Sequence, residues 1–189
     1  MDRKVYVLLT DTGTIFTKTI KQYTRAPYNH SSIALDSELL ELYSFGRRNP
    51  KNPLYGGFVK EDVLQGTYKL YPQTTCAVYE INVSERQIAK MRRMINLFEK
   101  NKSRMLYNIF GVIGIALKEP LEPWGSYFCS QFVAELLERS GVKLWDKIPA
   151  LVTPDDFRKS DKTKLIYEGL LLEYPAVRKR KIDDDFGCT

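Results

Sequence analysis

The chain has 189 residues, 43% of them apolar and 12% aromatic, with a formal net charge of +6. That composition belongs to a folded domain with a full hydrophobic core and excludes a disordered chain. A single histidine excludes a multi-histidine metal centre, and three cysteines without a CxxC spacing indicate neither a zinc site nor a disulfide framework, so no cofactor or metal is expected.

The first residues, Met1 to Lys4, lead into "VYVLL", which is too short for a signal core. The longest nearly unbroken apolar run, Ile109 to Leu117, falls short of the roughly 20 residues of a membrane span. A cytoplasmic protein is the expectation.

Lys4 to Thr10 reads as an opening strand, rich in β-branched and aromatic residues, and Thr12 to Thr24 as a helix. Tyr28 to Asp36 and Glu38 to Phe45 read as two strands of a hairpin. Gly46 to Phe58, dense in glycine and proline, reads as a long ordered loop that could serve as a lid. Thr74 to Val83 is the next strand. Ser84 with Gln87 three residues later forms a capping box opening a helix to about Lys100, with Ile88, Met91, Ile95 and Phe98 on one face.

Arg104 to Lys118 reads as a more apolar helix, and "PLEPWG" breaks the chain after it. A further helix begins near Cys129, and Thr163 to Tyr174 is strand-like. Strands, then helices, then a final strand suggest α+β. Residues 1–175 form one domain in this reading, and 176–189 a charged, solvated tail.

The chemistry centres on "WGSYFCSQFVAELLERSG", Trp124 to Gly141. With Ser126 as N-cap, Cys129 is the third helical residue. Phe132, Val133, Leu136 and Leu137 follow at helical spacing, so the thiol lies on the core-facing stripe. There the helix dipole and free N–H groups favour an anion, whether a thiolate or the oxyanion of a substrate. Buried cysteine also packs as a small hydrophobe, which is the plain alternative.

His30 sits on a predicted strand whose period of two puts His30, Ser32 and Ala34 on one face and Ser31, Ile33 and Leu35 on the other. The Ile33/Leu35 side is the better core candidate, leaving His30 on a face of small residues. A thiol at a helix start and an imidazole on a neighbouring strand are the parts of a Cys–His couple.

"YNHSSIALD", then "YSFGR", and later "YFCSQFVAELLERSGV" resemble the circularly permuted papain-like fold. That group includes NlpC-type peptidases and amidases, YiiX/YycO-like bacterial proteins and the lecithin:retinol acyltransferase relatives. In its permuted members the histidine strand precedes the cysteine helix, as His30 precedes Cys129 here. The resemblance spans most of the chain and implies an antiparallel sheet packed against helices, with the nucleophile at a helix N-terminus. It further implies a cysteine-dependent amidase or peptidase, with Cys129 as nucleophile, His30 as general base and the Cys129 N–H in an oxyanion hole. Peptides, conjugates or lipid-like molecules are the substrates it suggests.

Relatives often carry a polar or acidic residue on the strand after the histidine, to orient the ring. The matching "LYSF", Leu42 to Phe45, offers Ser44 and no acid, with Glu41 and Asp36 as alternatives. The missing acid gives some ground for a catalytically silent binding module of the same fold. Lipid-directed acyl transfer is a further alternative, since the basic stretch Arg92 to Arg104 and the apolar run after it could lie against a membrane surface. Arg47 and Arg48 could recognise a carboxylate or phosphate, or simply be solvated. No motif points to nucleotide or nucleic acid, Cys76 reads as core, and Cys188 belongs to the tail.

Overall fold

The computed structural model describes residues 2–14, 26–49, 52–104, 106–107 and 126–186. It is α+β, with a six-stranded antiparallel sheet in the order β4-β3-β2-β1-β5-β8. The strands are β1 (Asp2–Asp11), β2 (His30–Ala34), β3 (Leu42–Asn49), β4 (Asn52–Glu61), β5 (Thr75–Ser84) and β8 (Lys164–Leu170). A two-residue parallel pair, β6 (Leu106–Tyr107) and β7 (Ser126–Tyr127), stands apart from it. The helices are α1 (Gly66–Leu70), α2 (Glu85–Asn101), α3 (Cys129–Arg139), α4 (Pro154–Lys159) and α5 (Pro175–Phe186).

Alternation along β1 gives both faces of the sheet something to bury. Val5, Val7 and Leu9 face a core closed by Met91 and Phe98 of α2 and by Phe132 and Leu136 of α3. Tyr6 and Leu8 face a second core with Ala34, Leu42, Tyr68 and Val177. The face that carries His30 is therefore covered as well, where the sequence put the core on the Ile33 side. The reason is α5: the residues expected to be a loose tail form a helix after Pro175. Its Val177 is fully buried against the sheet, and its Arg180 pairs with Asp62 at 2.9 Å.

The capping box at Ser84 forms, with the Gln87 N–H donating to Ser84 Oγ at 3.3 Å and the Ser84 N–H to Gln87 Oε1 at 2.8 Å. α2 then buries Ile88, Met91, Ile95 and Phe98, the stripe its spacing predicts. α3 ends at Arg139, and Gly141 just beyond its Ser140 cap has a φ of +88°, which suits the left-handed residue after a helix. The Val142 N–H closes the end on the Leu137 carbonyl, and Gln87 Nε2 donates to the Gly141 carbonyl, tying the two helices together.

Two expectations in the N-terminal half are corrected. β3 begins at Leu42 rather than at Glu38, because the Asp36 carboxylate gathers the N–H groups of Glu38, Leu40 and Glu41 into a turn. The stretch Gly46 to Phe58 is no lid. It is the hairpin of β3 and β4, with Phe45 facing Phe58 across the ladder and both rings buried. Pro53 lies in β4, an edge strand of the described sheet, which is where a strand proline is found. The helices expected at Thr12 to Thr24 and Arg104 to Lys118, the "PLEPWG" break and Cys188 lie wholly or largely outside the described residues; of the second helix, Leu106–Tyr107 is the β6 strand.

In the turn between β2 and β3, Leu39 has φ +58° while its side chain is fully buried. The left-handed backbone costs a leucine about 1–2 kcal/mol, whereas deleting a buried leucine side chain costs about 2–5 kcal/mol. Burial outweighs strain, so Leu39→Gly is expected to destabilise the fold by about 1–3 kcal/mol in urea unfolding. A rise in the urea midpoint would show that strain dominates.

Candidate active site

The N-terminus of α3 packs against β2 and β3. Ser126 does not cap it; the β7 strand takes Ser126, Phe128 is the N-cap, and Cys129 is the first helical residue rather than the third. The first helical bond runs from the Phe132 N–H to the Phe128 carbonyl at 3.1 Å. The thiol thus stands where the free N–H groups of the helix are concentrated. Ser130 Oγ donates to the Val152 carbonyl at 2.6 Å and fixes this turn on the body of the domain.

His30 opens β2, and its imidazole meets the Cys129 sulfur. Its Nε2–H donates to Glu61 Oε1 at 2.8 Å, which leaves Nδ1 for the thiol. Glu61, the last residue of β4, holds both of its oxygens in hydrogen bonds. Ser44 Oγ donates to Oε1 at 2.7 Å, and Ser32 Oγ and Tyr68 Oη donate to Oε2 at 2.5 and 3.2 Å. Cys129, His30 and Glu61 therefore form one chain of contacts, drawn from α3, β2 and β4.

The electrostatics follow from burial and charge. Burial opposes the imidazolium, but Glu61 and the Cys129 thiolate outweigh it and raise the His30 pKa to about 10. Burial likewise opposes the Cys129 thiolate, yet His30 and Ser31 lower its pKa below the ordinary thiol value. Burial also works against the Glu61 charge, but His30 and the hydroxyls of Ser32 and Ser44 lower its pKa below the ordinary carboxyl value. All three shifts favour the charged forms, a thiolate and an imidazolium backed by a carboxylate. Cys76 is the contrast: buried without a cation, its thiol is pushed up to about 12.

The assignment of Ser44 as the group that orients the ring is corrected. Its hydroxyl binds the carboxylate that binds the ring. Glu41 pairs with Arg92 at 2.6 Å, and Asp36 anchors its turn, so neither serves the imidazole. The Arg48 guanidinium is spent on the Lys102 carbonyl; the Arg47 side chain lies outside the described residues.

Glu61 was hidden in the sequence because reading Gly46 to Phe58 as a loop removed the strand that carries it. The signal was present in "FVKE", where Phe58 alternates with Val59 and puts Glu61 on the face opposite Phe58. Gly46 was also missed. A Cβ there would lie 3.2 Å from Ser44 Oγ and 3.4 Å from both Glu61 Oε1 and His30 Cε1, so glycine gives the His–Glu pair its space.

Among the described residues no group of three His, Cys, Asp or Glu side chains is placed to hold a metal ion, and no helix is long and apolar enough to cross a membrane. No family model, curated protein or solved structure matches the chain.

Proposed function

We propose that the protein is a cysteine-dependent hydrolase acting on amide or ester bonds through an acyl-enzyme on Cys129, on a permuted papain-like fold. The observation that carries this reading is the Cys129–His30–Glu61 chain at the start of α3. Histidine strand before cysteine helix is the order of the permuted members of that group. Glu61 supplies the acid whose absence had favoured a silent binding module.

In the proposed cycle the Cys129 thiolate attacks the substrate carbonyl carbon, forming a C–S bond as the carbonyl oxygen becomes an oxyanion. The N–H groups of the first turn of α3 stabilise that charge. The intermediate collapses, the bond to the leaving amine or alkoxide breaks, and the His30 imidazolium gives it a proton. The neutral imidazole then takes a proton from water, whose oxygen attacks the thioester. The C–S bond breaks, and thiolate and imidazolium are restored. Glu61 holds the ring by Nε2 throughout, keeping Nδ1 toward the reacting atoms.

Peptides, conjugates and lipid-like molecules in the cytoplasm are the substrate classes this reading allows. The test is p-nitrophenyl acetate. A burst of nitrophenolate with one acetyl group on Cys129 by peptide mass spectrometry is expected, and neither should appear in Cys129→Ala. Acetylation elsewhere with no burst would sink the reading.

A further inference from the structure

Ser31 lies beside His30 but faces the other way. The Leu35 N–H donates to the carbonyl of Glu41, the residue just before β3, at 3.1 Å. In an antiparallel pair the N–H groups of alternate residues point the same way, so those of Ile33 and Ser31 also face β3. The β2–β3 ladder, however, consists of Ile33–Tyr43 and Ala34–Leu42. At Ser31 the N–H faces β3 with no strand residue paired to it. Its hydroxyl is fully buried and makes no hydrogen bond in the structure, to sulfur or to any other acceptor. Buried donors left unmatched are rare and costly, and both lie beside the Cys129 sulfur at the start of α3.

We infer that Ser31 is a positioning residue for the nucleophile: its N–H donates to the Cys129 sulfur, and its buried, unpartnered hydroxyl turns to that sulfur as it ionises and holds it as a thiolate. The inference rests on the hydrolase reading of the site. Among the described residues the titratable groups that face the sulfur are His30 of β2, with Glu61 of β4 behind it; the first turn of α3 brings no charged side chain. The Ser31 contacts add to the lowering that His30 produces. A thioester sulfur carries no charge and accepts hydrogen bonds weakly. Acylation therefore loosens this contact, and release of the acyl group restores it.

Removing the hydroxyl has two opposed effects on reactivity. The thiolate forms at higher pH, and once formed it is a stronger nucleophile, by about threefold for each tenfold loss of acidity. A merely structural serine would produce neither.

The experiment is the pH dependence of iodoacetamide alkylation, resolved at Cys129 by peptide mass spectrometry, in wild type, Ser31→Ala, Ser31→Thr and His30→Ala. Ser31→Ala is expected to move the midpoint to higher pH and raise the plateau rate, while Ser31→Thr, which keeps the hydroxyl, retains the wild-type midpoint. If Ser31→Ala does not fold, Ser31→Gly removes the same hydroxyl and is read the same way. A wild-type profile in the serine deletion, or an equal shift in Ser31→Thr, overturns the role of Ser31. If His30→Ala still shifts the profile, the Cys–His couple stands without it. A wild-type midpoint at or above the ordinary thiol value of about 8.5 overturns both.

Discussion

His30→Ala is expected to slow release of the acetyl group from Cys129 by about 10²- to 10⁴-fold, the usual contribution of a positioned general base. Acylation by p-nitrophenyl acetate should suffer less, because nitrophenolate leaves without a proton, so the variant accumulates acyl-enzyme. An anilide substrate, whose nitrogen must be protonated to leave, should lose both steps.

The pH dependence of kcat/KM follows from the same pair. Activity rises as the Cys129 thiol ionises, at a pH below its ordinary value, and falls as His30 loses its proton near pH 10. In His30→Ala the acid limb should move to higher pH, since burial then opposes the thiolate without a cation to offset it. Stopped-flow bursts and mass spectrometry of the trapped acyl-enzyme would measure each step. Equal acetyl release in both proteins would remove His30 from the mechanism.

Glu61→Gln carries the second large effect, this time on stability. Removing one partner of a buried ion pair costs about 3–5 kcal/mol when the other charge is left uncompensated. His30 and Glu61 are part-buried, with 21% and 13% of their side chains exposed, and His30 can release its proton, so a smaller loss of about 2–3 kcal/mol is expected in urea unfolding at neutral pH. Ser32, Ser44 and Tyr68 would face an amide, which accepts at one oxygen and donates at its nitrogen, and one donor would lose its acceptor.

The pH dependence separates this from simple packing loss. In wild type the His30 pKa is raised, so its contribution is complete below its unfolded value of 6.5 and disappears as pH rises through about 10. The Glu61 pKa is lowered, so its contribution is complete above its unfolded value of 4.5 and is lost as pH falls through its folded value. The pair therefore stabilises most between 4.5 and 6.5, and that maximum should flatten in Glu61→Gln. A uniform loss at every pH would mean that the carboxylate acts by packing alone. The variant should also lower kcat more than it raises KM, because Glu61 acts through the imidazole that it holds.

α2 and α3 were legible because their signals are local. The capping box and stripe of α2 and the apolar stripe after Cys129 depend on neighbours three or four residues away, and a helix is built from such contacts. The opposed faces of His30 and Ile33 follow from strand alternation in the same way. The sequence by itself thus determined the cysteine at a helix start, the histidine on a strand and the α+β class. Tertiary structure decided what they meet. Glu61 reaches His30 only because the β3–β4 hairpin returns it to the sheet, 31 residues along the chain. The second core exists only because α5 folds back over β1 and β2. Such pairings are set by the closure of long loops, whose ends carry no mark of one another in the local sequence.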